Sequence, residues 1–213
     1  MSASEVEKDR YFTLRVRASR EMKVKGSRFI GYAGPIRDRE EAESVIREIS
    51  RKHHDATHNC TAYRLGAGDA SFFRFNDDGE PAGTAGRPIL GAIDSRSLTD
   101  VVCVVARYFG GTMLGTGGLA RAYSKCAGEV LDCGDKIERF LTASLRIMFD
   151  YDLTGAVMGL IARYDATVER TVYGAESEIV LRVRQSKTED FERELLNTTG
   201  GRVRVFREEV ADR

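Results

Sequence analysis

The chain has 213 residues, with 33 basic and 33 acidic side chains and no net charge. That length holds one or two packed cores, and the charge balance argues against a strongly basic protein that coats nucleic acid. No apolar run approaches a membrane span and the polar start is not a secretion signal, so a cytoplasmic protein with no membrane partner is expected. Four cysteines, Cys60, Cys103, Cys126 and Cys133, lack any C-x-x-C spacing and read as reduced thiols.

In chain order, residues 1–8 are polar and expected to fray. Tyr11–Val16 alternates and predicts a strand, and Phe29–Ala33 predicts a second that ends at Gly34-Pro35. Asp38 then caps a helix whose apolar face is Ala42, Val45, Ile46 and Ile49. Thr57–Tyr63 alternates, a turn at 66–69 follows, and Ser71–Phe75 completes a hairpin. His53, His54 and His58, with Cys60, are a possible metal set, but they do not converge if Thr57–Tyr63 is extended. His58 remains as a residue that faces a site, or as an ordinary histidine.

Two glycine-dense segments flank the most apolar run, Val101–Ala106, which predicts a strand buried on both faces. After it, Gly110, Gly111, Gly115, Gly117 and Gly118 crowd into nine residues before an amphipathic helix carrying Leu119, Ala122, Tyr123, Cys126, Val130 and Leu131. A strand, glycine loop and helix in that order let backbone N–H groups approach an anion at the helix N-terminus. The phosphate-loop motif fails, because Thr116 stands where a lysine is required. The dinucleotide fingerprint fits poorly: Phe109–Leu114 separate the strand from Gly115-Thr116-Gly117, and Asp135 has no strand to carry it. Glycines also serve tight turns and helix packing, at about 0.5–1 kcal/mol each relative to alanine in regular structure. Their density here favours a binding surface. In the other segment, Asp77–Pro88, three carboxylates fall within four residues. Such a cluster can hold a divalent cation, do acid–base work or line a solvated turn. Asp77 reads as the turn residue, the site and turn readings stay level for Asp78 and Glu80, and these two with His58 are the catalytic candidates. The ligand or anion candidates are Thr84, Arg87, Arg107, Tyr108, Gly110, Gly111, Thr112, Gly115, Thr116, Gly117, Gly118 and Arg121. No metal site and no cofactor are expected.

From Leu141 the pattern changes. Strands at Leu141–Tyr151, Ala166–Tyr173, Ser177–Arg184 and Arg202–Val210, with helices at Leu153–Tyr164 and Lys187–Leu196, give β-α-β-β-α-β, the ferredoxin-like order. Residues 139–213 carry 12 basic and 13 acidic side chains, leaving 21 and 20 for residues 1–138, so neither part is a basic domain. Glu178, Val180, Arg182 and Arg184 alternate with Ile179, Leu181 and Val183, and Arg202 and Arg204 with Val203 and Val205. This predicts a sheet with one wet face; an arginine-bearing face against RNA backbone is the sharper alternative, weakened by the scarcity of aromatics.

DDGEPAGTAGRPIL at 77–90 and RYFGGTMLGTGGLARAY at 107–123, with SRFIGYAGPI at 27–36 and HDATHNCTAYRLG at 54–66, resemble the IMPACT family in its bacterial YigZ-like branch. The likeness spans nearly the whole chain. It departs at Met113, where the family usually carries a lysine. The resemblance implies an α+β protein of two domains. Residues 1–138 are expected to resemble domain 2 of ribosomal protein S5. Residues 139–213 are expected to form a ferredoxin-like module similar to one in translational elongation factors. Eukaryotic relatives regulate translation through an additional N-terminal domain, for which this chain has no room, so that mechanism is not expected to carry over. The resemblance implies no catalytic residue. Three functional readings follow: a regulatory protein that binds RNA, the ribosome or a translation factor, an enzyme or binder of a phosphate-bearing small ligand, and a protein-interaction module.

Overall fold

A computed structural model describes residues 9–67, 71–174 and 176–208. The N-terminal residues 1–8, part of the expected turn at 66–69, and the end of the last expected strand lie outside them. The chain divides into two compact units. Tyr11–Arg139 forms one; Asp9 and Arg10 group with Phe140 and the residues after it in the other.

In the first unit, β2 (Ala18–Val24), β3 (Ser27–Pro35), β4 (His58–Leu65), β5 (Phe72–Asn76) and β6 (Val101–Tyr108) form an antiparallel sheet in the order β2-β3-β6-β4-β5. Helix α1 (Arg39–Lys52) covers one face, packing Ala42, Val45 and Ile49 with Tyr63, Val102 and Val104. Helices α2 (Gly86–Asp94) and α3 (Gly115–Asp132) cover the other, over Cys60, Ala62, Val101, Cys103 and Val105. Strand β6 is central and covered on both sides, which is why its sequence is uninterrupted apolar residues rather than an alternation. Side chains still alternate between the two layers. Hence Arg107 belongs to the α2/α3 face and Tyr108 to the α1 face.

Two strands, β2 and β7 (Lys136–Phe140), lack a strong sequence signal. Strand β2, ASREMKV, is a sheet edge with four of its seven residues polar or charged, so its partial burial leaves no apolar run. The stretch predicted at Tyr11–Val16 is β1 (Arg10–Leu14), and it pairs with β7 in a ribbon apart from the main sheet.

The second unit runs β8 (Thr142–Asp150), α4 (Thr154–Arg163), β9 (Thr167–Val172), β10 (Glu176–Arg184), α5 (Thr188–Thr199) and β11 (Arg204–Glu208). Its sheet order, β11-β8-β10-β9, is that of a ferredoxin-like sandwich. Leu145, Ile147, Phe149, Ile179, Leu181 and Val183 pack against Val157, Leu160, Ile161, Phe191 and Leu195 from the helices. The molecule is therefore an α+β protein of two domains. Among the described residues no helix is long and apolar enough to cross a membrane.

Candidate functional site

Strands β5 and β6 are each antiparallel to β4, so they run the same way, and each feeds a helix on the same face of the sheet. The loops opening α2 and α3 therefore leave the same end of the sheet. His58, at the start of β4, lies at that end too, opposite Arg107 in the strand register.

The Asp77–Glu80 stretch is a tight turn, closed by the Glu80 N–H donating to the Asp77 carbonyl at 3.0 Å. Its central residues have φ of +46° at Asp78 and +83° at Gly79. Positive φ at both marks a type I′ turn, for which Asp-Gly is a favoured pair. The turn sends its three carboxylates to three destinations. Asp77 accepts from the N–H groups of Gly83, Ala85 and Gly86, at 2.8, 3.0 and 2.8 Å. It thus occupies the N-terminus of α2, so the expectation of a solvated Asp77 is overturned. Partial burial pushes its pKa up, but the three N–H donors outweigh burial and hold it below the usual carboxylate value. Asp78 stays outside, where Oδ2 accepts from the Asn59 N–H at 2.6 Å.

Glu80 turns inward. Its Oε1 accepts from Arg107 Nη1 at 2.6 Å and from the Tyr123 hydroxyl at 2.7 Å, and all three residues are buried. The Cys60 thiol lies 3.4 Å from that hydroxyl and 3.0 Å from the Asp77 carbonyl. Burial pushes the thiol up to about 12, so Cys60 is an unreactive neutral group here. Burial likewise raises Tyr123 far above an ordinary phenol, which keeps it a proton donor to Glu80. Arg107 is flanked by the rings of Phe29 and Phe109, whose centroids are 5.7 and 5.6 Å from Cζ, and its Nε is buried with no hydrogen-bond partner. His58 closes the cluster: Nδ1 lies 2.6 Å from the Asp78 carbonyl and Nε2 lies 3.9 Å from Glu80 Oε2. The three acid–base candidates, Asp78, Glu80 and His58, are brought together. Of Asp78, the backbone carbonyl is what touches His58.

The ligand candidates divide. Gly110, Gly111, Thr112, Gly115, Thr116 and Gly117 are exposed around the start of α3, and Gly118 is partly so. Among the described residues no side chain caps this helix, whereas Asp77 caps α2. Gly110 has a packing duty as well: a Cβ there would fall 1.9 Å from the carbonyl carbon of Gly26, because the β2–β3 turn crosses the loop at backbone contact. Lys25 is thereby held beside the loop. Arg121 reaches back one turn, since a Cβ on Gly117 would lie 3.4 Å from its Nη1. Arg87 is exposed in the first turn of α2. Lys25, Arg87 and Arg121 have no carboxylate partner among the described residues.

Three candidates stand elsewhere. Arg107 is not a free cation, because Glu80 neutralises it. Thr84 is buried and donates to the Pro81 carbonyl at 2.6 Å. Tyr108 points to the α1 face, where it donates to Asp55 Oδ1 at 2.9 Å and sits 2.9 Å from His53 Nδ1. Its one proton goes to Asp55, so His53 Nδ1–H donates to Tyr108, and His53 Nε2 accepts from Tyr32 at 2.8 Å. Burial, then Lys52 and Arg28, lower the His53 pKa and keep it neutral. Met113 is 88% exposed at the loop tip. Among the described residues no group of three or more His, Cys, Asp or Glu side chains is placed to hold a metal ion.

The model of the Impact N-terminal domain matches residues 25–131, which contain every element of this site. A domain of unknown function, DUF1949, matches residues 147–202 in the second unit. The IMPACT family member YvyE of Bacillus subtilis is 35% identical over 192 residues, which span 90% of this chain and 88% of that protein. The chain belongs to the IMPACT family. Its bacterial relatives include the family member YigZ of Escherichia coli, 29% identical over 184 residues, or 86% of this chain and 90% of that one. The mouse Protein IMPACT matches only over 93 residues at 33% identity, 42% of this chain and 29% of that protein. A crystal structure of a hypothetical protein superposes with a TM-score of 0.71 at 27% identity, covering 95% of this chain and 99% of that one. In this IMPACT family chain, sequence reasoning did not assign Cys60, Tyr123 or Ser27, whose Oγ accepts from Arg107 Nη2 at 3.5 Å and from the Gly110 N–H at 3.2 Å, to the site. Tyr123 was legible only as an apolar helix position, since a phenol on a buried stripe looks like core until its hydroxyl has a partner.

Proposed function

We propose that this protein binds RNA at the glycine-loop end of its N-terminal domain and acts in translation regulation, the role that membership of the IMPACT family suggests. The observation that carries the reading is the start of α3. Among the described residues its first-turn N–H groups open onto exposed glycines without a side-chain cap, Lys25 and Arg121 flank it without carboxylate partners, and Arg87, likewise unpartnered, opens α2 at the same end of the sheet. Phosphates suit that combination of helix dipole and unpaired cations. The test is RNA association across a salt series with the full chain. Binding that weakens steeply with salt, and a shallower slope for Arg87→Ala with Arg121→Ala, is the expected result. Salt-insensitive binding, or none, removes the proposal. Arg107 is the wrong residue to mutate for this purpose, because its loss leaves Glu80 buried and unpaired.

A second reading has its own support. The convergence of His58, Glu80, Arg107 and Tyr123 is a set of groups that transfers protons or holds a small phosphorylated ligand. A thermal-shift screen against nucleotides and sugar phosphates separates the two. A ligand at a hundred times its dissociation constant stabilises by about 2.7 kcal/mol.

A further inference from the structure

We propose that His58 Nε2 and Glu80 Oε2 together read an amino group on a base of single-stranded RNA, so that this site favours amino-bearing bases over uracil. The inference rests on the RNA-binding reading of the same site and adds the chemistry of what is recognised. His58 Nδ1 lies 2.6 Å from a carbonyl oxygen, which only accepts, so Nδ1 carries the hydrogen, and the Nδ1–H tautomer presents a lone pair at Nε2. Glu80 is the salt-bridge partner of Arg107 at 2.6 Å. Its Oε1 is engaged by two donors, and its Oε2 faces Nε2 across 3.9 Å. Two acceptors so placed are satisfied together by one atom carrying two hydrogens, each bond at an ordinary length of about 2.9 Å. The exocyclic amine of cytosine, adenine or guanine is such an atom. Uracil puts a carbonyl oxygen in the position where cytosine has its amine, and a third acceptor there is repelled.

The surroundings suit a base. Phe109 is 50% exposed, and its ring stands 5.6 Å from the Cζ of Arg107, the arginine that holds Glu80. An exposed aromatic beside hydrogen-bonding groups is the usual platform for an unstacked RNA base. The Phe109 N–H donates to Thr57 Oγ1 at 3.0 Å, which ties the platform to the residue preceding His58. The His58 side chain is 20% exposed and that of Glu80 only 3%, so the imidazole stands at the rim and the carboxylate beneath it. A base edge entering here meets His58 first.

The experiment compares labelled oligocytidine and oligouridine of equal length by fluorescence anisotropy, at fixed salt, with the full chain. The two carry the same phosphates and rings of the same size. Oligocytidine is expected to bind about tenfold more tightly, the effect of leaving buried acceptors unmatched in the uridine complex. His58→Ala is expected to bring that ratio towards one. Phe109→Ala is expected to weaken both oligomers alike and keep the ratio. Equal binding by the wild type, tighter binding of oligouridine, or a ratio that survives His58→Ala overturns the amine-reading site while RNA binding stands. If neither oligomer binds, the RNA-binding reading itself fails, and this inference with it. The wild-type ratio decides the matter even where a variant folds poorly.

Discussion

Arginines on the open sheet face of the second unit and arginines at the glycine-loop end of the first differ in what surrounds them. On the sheet, Arg146 lies 3.6 Å from Glu178 and 3.3 Å from Glu208, Arg170 lies 2.7 Å from Glu178, Arg182 lies 2.5 Å from Glu169, and Arg204 pairs with Glu176. Neighbouring strands hold side chains close enough for opposite charges to meet, so a face that alternates Arg and Glu neutralises itself. At the helix starts, Arg87 and Arg121 project from the first two turns with no such neighbour among the described residues. Counted along the chain, neither part is a basic domain; what differs between the two places is whether each arginine already has a carboxylate beside it. This weighs against the sheet as an RNA surface and for the loop end.

The largest test of that contrast is the buried pair. Glu80→Ala strands Arg107 without its carboxylate and is expected to destabilise the fold by about 3–5 kcal/mol in urea denaturation. The exposed sheet pairs lie at the other extreme. Asp77→Ala comes next. It removes the acceptor for three N–H groups at α2, with an expected loss of about 1–2 kcal/mol. The sign with pH follows from its lowered pKa: the contribution of Asp77 is present above the ordinary carboxylate value and is lost as pH falls through the folded one. Acid titration of wild type and Asp77→Asn should therefore converge at low pH; curves that stay parallel refute the capping role. Arg87→Ala with Arg121→Ala should leave stability nearly unchanged and weaken RNA binding about tenfold, since each phosphate contact contributes a unit of salt dependence. Smallest of all is Arg182→Ala, with an expected stability change below about 0.5 kcal/mol and unaltered RNA affinity. A drop in affinity there as large as at Arg87 would erase the contrast.

How much of the site could be read in advance varies residue by residue. Asp-Gly announced the turn at 78–79, because few other pairs accept two positive φ values. That the turn drives Glu80 inward and hands Asp77 to α2 was not readable, since three neighbouring carboxylates are chemically equivalent until their surroundings differ. Arg107 follows six apolar residues of a strand, and its flank position suggested a ligand-facing cation. Its burial depends on Glu80, twenty-seven residues earlier, arriving from another loop. The likeness at 77–90 and 107–123 pointed to the family, but a departure such as Met113 acquires meaning only once its side chain is known to stand in solvent.

Determined by sequence alone were the periodicities: helix faces at steps of three and four, strand alternation, the ferredoxin-like order after Leu141, and the central strand that is apolar throughout. These are local, because each element must expose or bury its own side chains at its own repeat. Only the tertiary structure decided partners. Which carboxylate meets which arginine, which helix N-terminus is already filled, and which side of β6 holds Arg107 rather than Tyr108 all depend on contacts between residues far apart in the chain. Burial then turns those contacts from weak surface pairs into constraints on what the site can bind.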